Sequence, residues 1–342
     1  MKNRQNVNII FRTILGITLA MSLLLTPANA ETDSTKDQFL FPVYKVSNTD
    51  GVIYGLFYYE SEFDSDKTWQ WTALRQTTGY DAWTFVEGIE IAPKWEFHSE
   101  VTWSNTSEPF FGNGNSTQVS DQASIARDLF DGYLGAYYSF TDQWKAVVRW
   151  VLKSRQERVS DNDDQRYFSD ETTSGPSLGV IYDSRDTRIN STDGSYLSQK
   201  MTFFGDGTAL DVDWRHFIPV GESTLALRGV LGHSLQDNPS YLQQYHLGSF
   251  TLFRGADINR FLGESLVAAQ VEYRMPFIDP VYLTWFSEWG QVADDIRVDD
   301  LHWSYGLGLH YRIGMGTSSM RMDIGQMDGE GTTMYLSFDQ VF

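Results

Sequence analysis

In "LHWSYGLGLHYR", Leu301 to Arg312, every second residue is bulky and apolar: Trp303, Tyr305, Leu307, Leu309 and Tyr311. The residues between them, His302, Ser304, Gly306, Gly308, His310 and Arg312, are small or polar. A period of two held over a dozen residues predicts a β-strand with one apolar face. A soluble sheet also alternates in this way. The length of the run and the aromatics near both ends of its apolar face match a strand that crosses a bilayer. Trp303, Tyr305, Leu307, Leu309 and Tyr311 are therefore expected against lipid. Ser304 is expected to face an interior that accepts an arginine better than position 307 does.

The pattern recurs along the chain. Trp95, Phe97, Val101 and Trp103 oppose Glu96, His98 and Glu100. Trp144, Ala146, Val148, Trp150 and Leu152 oppose Lys145 and Arg149. Val267, Ala269, Val271, Tyr273 and Met275 oppose Gln270, Glu272 and Arg274, and Met320, Met322 and Ile324 oppose Arg321 and Asp323. Sixteen such segments are expected, near 51–61, 67–78, 82–91, 94–104, 116–127, 132–141, 143–154, 175–184, 194–204, 208–217, 222–232, 264–275, 281–290, 301–312, 317–325 and 333–342. The fold class is all-β: a transmembrane antiparallel barrel of sixteen strands over residues 51–342. An even count places both ends of the chain on the periplasmic side.

The N-terminus fits that destination. Lys2, Arg4 and Arg12 precede the apolar run "ILGITLAMSLLL" and then "PANA", the layout of a secretory signal peptide over residues 1–30, cleaved after Ala30. Residues 31–50 are expected to be a short periplasmic lead-in. Removing the three basic residues of the signal takes the net charge from −19 to −22, which opposes nucleic-acid binding. Cysteine is absent, so disulfides and thiolate metal sites are excluded. The strand parity makes 155–174 an acidic extracellular loop and 185–193 a periplasmic turn. Residues 233–263 become the longest extracellular loop.

Four motifs in the second half resemble those of the BamA/TamA superfamily of outer-membrane barrels, the bacterial surface antigen family. "GPSLGVIYDSRDTR" followed by "DGSYL" resembles the family's strand and Asp-x-Arg-Asp turn, carried by Asp183, Arg185, Asp186 and Gly194. "FRGADINRFLG" resembles its arginine-glycine loop, with Arg254 and Gly255, and "VEYRMPF" resembles the strand after it. "YLTWFSEWGQV" resembles its Phe-x-Asp-x-x-Gly strand, and the terminal Phe342 resembles its closing residue, with Phe338 on the same face. "PFFGNGNST" (Pro109 to Thr117) adds a weaker match. Three features depart from the pattern: Ala256 stands where an aromatic is usual, Glu288 replaces the usual Asp, and Gly290 comes one residue early. No POTRA domain is expected before the barrel.

The resemblance implies a loop that folds back into the barrel and locks there, and alternation independently points Tyr282, Thr284, Phe286 and Glu288 inward. Arg254 is expected to bond Glu288 through two parallel N–H groups while resting on Phe286, with Gly255 turning the backbone beside it. Glu272 is the second candidate acceptor. The resemblance also implies that Phe338 and Phe342 form a C-terminal signal read by the barrel-assembly machinery.

No catalytic or cofactor site is expected. The six histidines show no metal-binding spacing; His302 and His310 share a face but lie about 26 Å apart at ~3.3 Å per residue. "GHSLQ" lacks the second glycine of a nucleophile elbow. "DNDDQRYFSDE" has Arg166 where a calcium loop needs glycine. Interior charges such as Asp211, Asp213, Arg215, Arg228, Glu272, Arg274, Arg312 and Arg321 are expected to pair with one another. Two functions fit: a device for inserting or translocating protein or lipid, with "GVIYGLFYYE" pairing weakly against "TMYLSFDQVF", or a passive pore or structural barrel. The expected partners are outer-membrane lipids and lipopolysaccharide, the assembly machinery during biogenesis, and a soluble periplasmic protein.

Overall fold

The computed structural model describes residues 36–47, 51–62, 68–76, 80–160, 170–188, 190–313 and 318–338. The signal segment and Phe342 lie outside them. The strands are β1 (Lys36–Ser47), β2 (Gly51–Glu62), β3 (Thr68–Gln76), β4 (Tyr80–Ala92), β5 (Trp95–Phe110), β6 (Ala123–Ser139), β7 (Trp144–Ser160), β8 (Glu171–Asp183) and β9 (Gly194–Phe204). They continue with β10 (Gly207–Val220), β11 (Ser223–Ser234), β12 (Tyr245–Leu247), β13 (Phe261–Gly263), β14 (Ser265–Ile278), β15 (Val281–Ala293), β16 (His302–Ile313), β17 (Ser318–Met327) and β18 (Thr332–Phe338). Sixteen form one sheet in chain order, while β12 and β13 pair separately within the long loop. From β11 through β18, neighbouring strands of the sheet pair antiparallel.

Register turns the alternation into two surfaces. Trp285, Leu307 and Ile324 stand side by side on β15, β16 and β17, as do Leu283, Leu309 and Met322. All six are exposed, and Leu307 reaches 65 %. The opposite face carries buried rows that include Gln270, Glu288, Ser304 and Met327, and Arg274, Thr284 and Asp323. Apolar residues outside and charged residues inside invert a water-soluble fold, and suit a sheet surrounded by lipid.

The interior is filled by the segment after β11. Leu247, Phe253, Ala256 and Phe261 pack with Leu266, Ala268, Val292 and Met327. Tyr241 and Leu242 pack with Phe110, Ile125 and Leu262. One segment thus touches both β5–β6 and β14–β17, which requires the sheet to curve around it. At the same end, Gly114 donates its N–H to the Leu262 carbonyl at 2.7 Å and Asn115 donates to the Asp300 carbonyl at 2.6 Å. Arg260 binds Thr117 and Glu330. The stretch Pro109 to Thr117 therefore ends β5 and helps cap this loop-rich end.

Several expectations require correction. Residues 36–47, expected as lead-in, form β1. Pro42 and the weak alternation of "KDQFLFPVYKVS" hide the strand, and β1 lies at the end of the sheet order, where proline is tolerated. Residues 116–127 and 132–141, expected as two strands, belong to a loop and the single strand β6. The turn-like "FDGY" misleads there: Gly132 lies flat against β5, where an added β-carbon would come within 2.7 Å of the Glu100 carbonyl. The two errors cancel in the count. The strand opposite β18 in the order is β1, not Gly51–Glu62. The acidic loop shortens, since β7 runs to Ser160 and β8 starts at Glu171. Ser304 faces inward but is fully buried between Glu288 and Met327, so an arginine there has no room.

Candidate functional site

Three inward rows make the seat for Arg254. Glu272, Phe286, Gly306, Gly325 and Thr333 are consecutive partners across β14 to β18. Gly306 leaves room for the Phe286 ring, whose tip an added β-carbon would strike. Gly325 leaves room for the incoming loop: its own β-carbon would lie 2.8 Å from the Gly255 nitrogen. Gly255 has φ +102°, and a side chain there would press within 2.9 Å of the Gln326 backbone. Glycine therefore meets glycine where the loop crosses β17.

This approach sets Arg254, fully buried, over Phe286 with its guanidinium carbon 3.7 Å from the ring centre. Its Nε donates to Glu288 at 2.7 Å and its Nη1 to Glu272 at 2.7 Å. Asp323 stands 3.6 Å from Nη1. The expected two-pronged guanidinium bond to Glu288 does not form. The second Glu288 oxygen instead accepts the Arg254 backbone N–H at 2.5 Å, so the guanidinium spans two strands. Both candidate acceptors are engaged together. Gln270 supports Glu288 at 2.8 Å, and Arg274 supports Glu272 at 2.7 Å.

The loop backbone is held as firmly as its arginine. The Phe250 carbonyl accepts from Arg321, and the Thr251 carbonyl accepts from Arg228 and Gln270. The Gly255 carbonyl accepts from Thr333 at 3.2 Å and the Ala256 carbonyl from the Tyr335 hydroxyl, both on β18. Sequence reasoning missed Asp323, Gln270, Thr333 and Tyr335 as partners of this loop. The inward glycines at 306 and 325 were the available sign of a close approach.

At the other end, Asp183 and Arg185 form the two-pronged pair, at 2.7 and 2.8 Å. Arg185 also lies over the Tyr196 ring. Asp186 closes the turn by accepting from the Thr187, Thr192 and Asp193 backbone N–H groups and the Thr192 hydroxyl. Partial burial opposes its charge, but those donors prevail and hold its pKa below the usual aspartate value. Gly194, φ +97°, passes too close to Ser184 for any side chain. The turn reaches inward through Arg188 to Glu87 and through the Ser191 carbonyl to Arg274. Asp183, Arg185, Asp186 and Gly194 thus share one turn, separate from the Arg254 seat. Phe338 ends β18.

An outward apolar belt, a charged interior and a loop fixed inside by an arginine define a β-barrel of the outer-membrane type. An Omp85 superfamily domain matches residues 45–332, and the chain belongs to that superfamily. Its fold is similar to the crystal structure of BamA from Haemophilus ducreyi lacking POTRA domains 1-3, with a TM-score of 0.58 and 13 % identity. The match covers 94 % of this chain and 76 % of that one. It is also similar to CdiB from Acinetobacter baumannii, with a TM-score of 0.56 and 12 % identity, over 89 % of this chain and 59 % of that one. No curated protein matches the sequence.

Proposed function

We propose that this chain resides in the outer membrane and acts, without enzymatic chemistry, in inserting or translocating protein or lipid there. In this reading the loop-rich end faces outward, β1 and β18 meet at a seam, and the Arg254 loop governs that seam. One observation carries it: the segment that Arg254 anchors on β14 and β15 also binds the terminal strand, through the Gly255 and Ala256 carbonyls. A shift of the loop would then be felt at β18. Lipopolysaccharide, the barrel-assembly machinery and a soluble periplasmic protein are the partners this role calls for.

A passive pore is the second reading, favoured by an interior cavity of about 510 Å³ lined mainly by strands before β12 and by the loop. Single-channel recording of the reconstituted protein separates the two. Small, fluctuating currents are expected of a loop-governed seam. A large, steady conductance in every insertion would support the pore and reject the seam.

A further inference from the structure

The interior charges are mostly matched. Asp213 accepts from Arg215 and Arg228, Glu108 holds Arg127, Glu96 holds Lys145, and Glu87 holds Arg188. The cavity between the inner wall of β5–β11 and the loop breaks this rule. Four cations line it, and two of them, Arg149 and Lys200, have no carboxylate within 4.0 Å among the described residues. Of the carboxylates on the same walls, two are committed to other cations. Asp213 serves the two arginines and Asp131 stands 4.0 Å from Lys153, while Asp211, paired with Lys200 across β9 and β10, and Glu100 face the same cavity without coming within 4.0 Å of either cation.

The two cations are also brought together. Both flank β8, Arg149 from β7 and Lys200 from β9, directly across from Ser177 and Gly179. Arg149 donates Nε to the buried Ser177 hydroxyl at 3.3 Å and rests on the Tyr133 ring. Gly179 clears the way for Lys200, since an added β-carbon would come within 2.7 Å of Lys200 Cγ. In the roof, burial and then the charges of Arg127, Lys153 and Arg155 push the His246 pKa down to about 3, so this side chain stays neutral. Like charges converging in a partly desolvated pocket favour a bound anion. The cavity has the size of a small-molecule site, roughly 300–1,000 Å³.

We propose that Arg149 and Lys200 form an anion-binding site inside the barrel, for a solute or lipid headgroup that carries a phosphate group. Arg149 supplies a planar fork and Lys200 a point charge, while Thr202, which donates to the buried Ser177 hydroxyl at 3.0 Å, floors the site.

The test uses full-length protein in nonionic detergent and equilibrium dialysis against labelled inorganic phosphate at constant ionic strength. The wild type should bind saturably, one phosphate per chain. Lys200→Gln and Arg149→Gln should each weaken binding about tenfold or more, as expected for loss of one charge-assisted bond. Lys200→Arg should retain it. Each variant is first shown to keep its heat-modifiable migration, which separates loss of the site from loss of the fold. Phospholipid that co-purifies with the wild type and is lost from the double variant identifies a headgroup. Free phosphate binding without such lipid identifies a soluble anion. Absence of both saturable phosphate and retained phospholipid in the wild type, or undiminished binding by the folded double variant, overturns the proposal.

Discussion

Arg254→Ala should produce a protein that reaches the membrane poorly, and whose long loop becomes open to protease. The guanidinium is fully buried and contacts Glu288, Glu272 and, more distantly, Asp323. Removing it leaves these acids buried without their shared cation. Breaking a buried pair from one side costs about 3–5 kcal/mol. Arg254→Lys should recover little, because one ammonium cannot reach two acids on different strands while lying flat on Phe286. A simple exchange, Arg254→Glu with Glu288→Arg, should also recover little: Glu272 would face the new glutamate, and the Arg254 N–H would lose its acceptor. The triple variant Arg254→Ala, Glu288→Gln, Glu272→Gln removes the stranded charge and should regain part of the loss. Unheated against heated gel migration, with limited proteolysis, reads the outcome. A single Arg254→Ala variant that is indistinguishable from wild type would show that the contacts do not hold the loop.

Leu307→Arg should block assembly for a different reason. Leu307 lies midway between Trp303 and Tyr311 on β16, flanked by Trp285 and Ile324, and is the most exposed of that group. A charge at the lipid midplane of a barrel costs roughly 2–4 kcal/mol. Leu307→Phe, equally apolar, should assemble as wild type does. The yield of heat-modifiable protein in the outer-membrane fraction measures both. A Leu307→Arg variant that assembles in wild-type amounts would mean that this face does not meet lipid.

The faces of the strands were legible because lipid and interior impose opposite chemistry on alternate residues. Trp303 to Tyr311 and Met320 to Ile324 carried that signal without help. Elements whose alternation is broken were not legible. Lys36–Ser47 carries apolar residues at both parities, Phe39, Phe41 and Val43 against Leu40, Tyr44 and Val46, and the Asp131–Gly132 pair imitates a hairpin inside β6. The Arg254 seat was half legible. Alternation points Glu272 and Glu288 inward, but which acids share one guanidinium depends on register, and register between strands is set by pairings that a single sequence does not state. Asp323 and Tyr335 entered the site for that reason, through Gly308 and β17. Ser304 taught the converse lesson: its direction was correct, yet the loop packed against that wall makes an inward position as restrictive as a core.

The central claim, an Omp85 barrel whose inward loop holds its last strand, can be tested by joining the two. The natural chain has no cysteine, so Ala256→Cys with Tyr335→Cys gives an unambiguous pair. A bis-maleimide about as long as the tyrosine side chain, adding one thiol to each of its double bonds, should link them in isolated outer membranes, and digestion between the two sites should leave the fragments joined. Arg254→Ala in the same background should sharply reduce the link. A protein that is heat-modifiable and membrane-embedded, yet gives no cross-link, would contradict the account.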